Sequence, residues 1–103
     1  MRIFPPVEEK IKVTFPAQEA EVAISALSGM TTPPPDKEWT TTRARVQVAI
    51  FISSKSDLER LLVGVASAEI DWRDILVKGG LAESNWPMVA KDAGFDIQIH
   101  ETT

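Results

Sequence analysis

The chain has 103 residues and a mass of 11.4 kDa, with 44% hydrophobic and 25% charged residues. One small domain fits that length and two do not, so a catalytic barrel, a two-domain dehydrogenase and a repeat array are excluded. Eleven Lys and Arg against fifteen Asp and Glu leave a net charge of −4, which is ill suited to neutralising phosphates.

There is no cysteine. That excludes a disulfide framework, a thiol nucleophile and a thiolate zinc site, and it is compatible with a reducing compartment. Met1-Arg2-Ile3-Phe4-Pro5-Pro6 is not followed by an apolar run, so no signal peptide is expected. No stretch approaches the roughly 20 apolar residues that span a bilayer. The expectation is a cytoplasmic chain with no membrane partner.

Residues 1–9 carry Pro5 and Pro6 and read as an extended arm. Ile11, Val13 and Phe15 alternate with polar residues, as do Phe95, Ile97 and Ile99. Period-two alternation predicts strands over 10–15 and 95–100, paired antiparallel to join the two ends.

Between them the pattern is helical. Ala20, Ala23, Ile24 and Leu27 predict a helix over 17–28, with Gly29 at its end. Pro33, Pro34 and Pro35 predict a stiff connector. Residues 41–53 are apolar nearly all round and predict a central, buried helix, with Arg43 and Arg45 keeping its start wet. Their β-branched residues also suit a strand. Ser56 and Glu59 form a capping box. Beyond it Leu58, Leu61, Val65, Ala68, Trp72 and Ile75 step by three and four, predicting one long helix over 57–78. Gly64 within it permits close approach of a neighbour, and Gly79-Gly80 ends it. Ser84, Trp86, Pro87, Val89, Ala90 and Gly94 outline a last helix over 85–93. The fold expected is mainly α: a single domain, a bundle of about four helices with a small two-stranded sheet.

Arg45-Val46-Gln47-Val48-Ala49-Ile50, Asp57-Leu58-Glu59-Arg60-Leu61 and Ala68-Glu69-Ile70-Asp71-Trp72-Arg73-Asp74-Ile75-Leu76 resemble segments shared by a group of small bacterial proteins of unknown function. The likeness covers residues 43–80, and Asp-Trp-Arg-Asp is its most specific piece. It departs at Ser53-Ser54-Lys55-Ser56, where the group has a more glycine-rich link. The resemblance implies a helical fold in a bacterial protein and brings no activity.

Asp71, Trp72, Arg73 and Asp74 are the sharpest chemical feature. Two carboxylates and a guanidinium beside an indole suit a polar ligand or a partner's charged residue. A solvated helix face explains the same residues. On a continuous helix Asp71 and Asp74 share a face, and Glu69–Arg73 and Asp74–Lys78 are spaced for ion pairs. Residues 43–62 have the length of a helix-turn-helix, with Arg43, Arg45, Lys55 and Arg60 as phosphate contacts. The acidic balance opposes that. His100 stands alone and cannot complete a metal site. No base accompanies the serines and no glycine-rich loop precedes a helix, so no catalytic residue, cofactor or metal ligand is assigned. Trp39 and Phe51 are candidate contacts for a partner. The central helix is expected to leave an apolar strip uncovered, which would pair two copies through Val48, Phe51, Ile52 or Trp39. The function expected is a non-enzymatic interaction module of the cytoplasm. The alternative is a nucleic-acid-binding regulator, and a small enzyme comes last.

Overall fold

A computed structural model describes residues 3–30 and 39–95, with the backbone alone for 39–41. Five helices follow in order: α1 (Pro5–Thr14), α2 (Ala17–Ser28), α3 (Trp39–Ser54), α4 (Leu58–Lys78) and α5 (Trp86–Asp92). No strand occurs among the described residues. The expected proline connector lies outside them, as does most of the expected second strand.

The first strand and the extended arm are corrected: residues 5–14 are helical. Proline at the first two helical positions removes only donors that lack an intrahelical partner anyway. Val7 and Ile11 are buried one turn apart, and Phe15, four residues further on, is buried at the cap. Val13, whose place in the alternation implied a strand, is 81% exposed. Steps of four from Val7 to Ile11 to Phe15 satisfy both periods, and the exposed Glu9 and Val13 between them decide for the helix.

α3 is the centre of the molecule. Val46, Gln47, Val48, Ala49 and Ile50 are all fully buried, so consecutive side chains point inward on every side. α4 returns antiparallel along it after a tight turn, and α1 packs on both α2 and α3. Of the strip expected to remain open, Val48 is fully buried and has no surface to offer a second copy, whereas Phe51 and Ile52 are partly exposed. Arg43 is buried rather than wet. Gln47 is a fully buried polar group the core must satisfy: its Oε1 accepts the backbone N–H of Phe4 at 2.7 Å, tying down the start of α1.

Glycines set the closest approaches. A Cβ on Gly64 would lie 3.3 Å from Ile50 Cγ2, which fits the close packing expected there. Gly79 is tighter: its Cβ would fall 2.7 Å from both Cα and Cβ of Ala49. Gly80 and Gly94 have φ of +78° and +96° and close αL caps. In each cap the next residue, Leu81 or Phe95, bonds back to a carbonyl in the last turn and is fully buried.

The turn between α3 and α4 departs from the expected box. Asp57, not Ser56, is the N-cap, accepting the Arg60 N–H at 3.1 Å. Lys55 and Ser56 hold φ of 51° and 64°, a conformation with a steric penalty for L-residues other than glycine.

Two stability outcomes follow. Gly79→Ala forces backbone against backbone and lowers unfolding free energy by about 2–3 kcal/mol in a urea titration. Ser56→Gly relieves the left-handed turn and raises it by about 0.5–1 kcal/mol, after the added freedom of the unfolded chain is subtracted.

Candidate functional site

The Asp-Trp-Arg-Asp segment falls at a break in α4. Asp71 has φ −151° and ψ 93°, inside an otherwise helical run. Its Oδ1 accepts the Arg73 N–H at 3.2 Å, the bond of an N-cap. Asp71 therefore starts a second helical arm, residues 72–78, and the expectation of one unbroken helix is corrected. In a straight helix residues 64 and 75 stand about 16 Å apart. Here a Cβ on Gly64 would lie 3.7 Å from Ile75 Cδ1. The second arm thus folds back on the first.

This rearranges the expected constellation. Asp71 is not helical, so it shares no helix face with Asp74. Glu69 and Arg73 lie on opposite sides of the break, and their four-residue spacing no longer aligns them. Arg73 instead stacks its guanidinium on Trp72 at 5.0 Å. Asp74 pairs with Lys78 at 3.3 Å, both half-exposed, as the spacing indicated. That pair contributes about 0.3–0.5 kcal/mol.

The fold-back creates a cleft of about 390 Å³. Arg60, Val63, Gly64 and Ser67 of the first arm face Ile75 and Lys78 of the second. Among the described residues the Arg60 guanidinium has no carboxylate within ion-pair distance. Beside the cleft runs an exposed apolar stripe. Leu62, Ala66 and Ile70 follow at steps of four, with Val63 between stripe and cleft. Ile70 is 89% and Val63 61% exposed. Sequence reading followed the buried seam of α4 and left Leu62, Val63 and Ile70, which lie off it, unassigned. Only the placement of α3 shows which side faces out.

The other candidates lie elsewhere. The Phe51 ring meets Phe95 edge-on at 5.5 Å, and Lys10 Nζ stands 6.0 Å from the Phe95 centroid. Trp39 has no described side chain. His100 is outside the described residues, which hold no cluster of three metal-ligating side chains.

Arg45 does structural work. Its Nε and Nη2 donate to the Leu81 carbonyl at 2.8 and 2.6 Å, and its guanidinium stacks 4.8 Å over Trp86. Desolvation draws its pKa below the ordinary arginine value, yet it stays charged in the physiological range. With Arg43 buried, two of the four cations of the helix-turn-helix reading are held within the fold. Lys55 and Arg60 remain exposed.

No helix among the described residues is long and apolar enough to cross a membrane. No family model, curated protein or solved structure matches this chain.

Arg45→Lys keeps the charge but loses the forked bond and the planar stack. It lowers unfolding free energy by about 1–2 kcal/mol, read from urea midpoints.

Proposed function

We propose that this chain is a non-enzymatic protein-interaction module of the cytoplasm, and that the outer face of α4 is its contact surface. The observation that supports this is the stripe of Leu62, Val63 and Ile70, left in water beside Arg60, which has no carboxylate partner among the described residues. Contiguous exposed apolar residues on so small a domain mark an interaction surface. A partner helix with apolar residues at steps of three and four suits the stripe, and a carboxylate beside it suits Arg60. Asp71 and Asp74 have local structural partners, so the Asp-Trp-Arg-Asp segment shapes the surface rather than forming its chemical centre. The nucleic-acid reading is weaker, because Arg43 and Arg45 are engaged inside the fold.

The test compares the native chain with a Leu62→Glu, Ile70→Glu double variant as bait in lysate of its own source. Both positions are exposed, so far-UV circular dichroism and melting temperature stay close to native. The expected result is a partner retained by the native chain and lost by the variant. Equal retention by both, or retention by neither, overturns the assignment of this face. Steeply salt-dependent binding of a random duplex by the native chain, lost in Arg60→Ala, would move the reading to nucleic acid.

A further inference from the structure

The apolar seam Leu61, Val65, Ala68, Trp72 and Ile75 runs through Asp71 without a change of step. As a pattern it describes a continuous helix over 58–78. The chain nevertheless folds back there, and Asp71 is the one residue of α4 with non-helical angles. Neither glycine nor proline stands at the break. What holds it is the Asp71 carboxylate on the Arg73 N–H, together with the docking of everything beyond it. That docking is concentrated on α3. Gly79 lies on Ala49, the Leu81 carbonyl takes Arg45, and Phe95 meets Phe51.

We infer that Asp71 is a hinge through which two copies of this chain exchange their segments 72–95, each docking on the α3 of the other. Straightening α4 at Asp71 lifts the segment off its own α3. A second copy opened in the same way offers the identical docking surface, so every contact of the segment is regained. The closed and exchanged forms differ at the hinge alone, apart from the entropy of association. Closed, the chain has the Asp71 cap; exchanged, it has helical backbone bonds running through residue 71. An element whose two arrangements share all other contacts is suited to exchange between protomers. The occupant of the vacated surface is therefore a second copy, because its segment carries Gly79, Leu81 and Phe95 in the register that Ala49, Arg45 and Phe51 already receive. This dimer does not depend on the α4 stripe.

Three variants at one position separate the terms. Asp71→Ala removes the cap and favours the continuous helix. With two hinges per dimer, the dimer association constant rises on the order of 100-fold. Asp71→Gly also lacks the carboxylate, but it disfavours a continuous helix and serves as an adequate N-cap, so it associates no better than native. Asp71→Asn retains the cap and behaves as native. Sedimentation velocity after refolding at low and high concentration reads the ratio of 11.4 kDa monomer to dimer.

Exchange is distinguished from side-by-side pairing by chemistry across the cleft. The chain has no cysteine, so Ser67→Cys with Lys78→Cys in one chain gives a defined thiol pair. A short bismaleimide then links the arms within a closed monomer and between chains in an exchanged dimer. On a denaturing gel the Asp71→Ala dimer is expected to remain covalently dimeric. A dimer linked only within chains overturns the inference, as does Asp71→Ala that stays monomeric at high concentration. If Asp71→Ala fails to fold, the native hinge carrying the two cysteines decides, refolded at high concentration. Interchain links support exchange, and their absence refutes it.

Discussion

Five consecutive fully buried residues, Val46 to Ile50, impose the architecture. A helix with no wet side must be surrounded, and a chain of this length has few elements with which to do it. α4 covers one side along its first arm, and its second arm folds back to add Ile75 and Leu76 to the same core. α1 arrives from the other end of the chain and is pinned by its own backbone to Gln47. Leu81 and Phe95, each placed by an αL glycine, add two more anchors. Burial of α3 thus accounts for both departures from regularity: the reversal at Asp71 and the contact of Gly79 on Ala49.

Much of the fold was legible in the residues. Gly29, Gly79-Gly80 and Gly94 marked helix ends, because cap geometry is local chemistry. The bounds of α2 and the nature of α3 followed from spacing. What failed, failed for physical reasons. Ile11 and Phe15 satisfy a period of two and a period of four alike, and the exposed Val13 tipped the reading toward a strand. Asp71 was read as helical because every step around it is helical. The break is imposed by tertiary packing that no window of sequence contains. Ser56 and Asp57 are both good N-caps, and only the turn geometry selects Asp57.

The candidate site was less legible than the fold. Asp-Trp-Arg-Asp drew attention as chemistry, and its leading carboxylate is occupied as a cap. The segment matters because it bends α4, opening a cleft lined by Arg60, Val63 and Lys78 beside the exposed Leu62 and Ile70. A small domain need not assemble a reactive cluster to have a surface that selects a partner. Asymmetry of wetting along one helix is enough, provided the other side is committed to the core.

The three anchors that meet on α3 also order how the molecule opens. The α3–α4 hairpin closes a short loop, whereas Phe4 on Gln47 and Phe95 on Phe51 each close more than forty residues. Contacts of high sequence separation form late and release early. The outer segments are thus the first to leave, one at each end of the chain, while the amides of α3 exchange with solvent only when the whole core is lost. Loss of both outer segments would leave the α3–α4 hairpin with part of its central helix unwrapped. Such a hairpin keeps Ile50 on Gly64 but bares apolar surface elsewhere on α3, which makes it prone to aggregation.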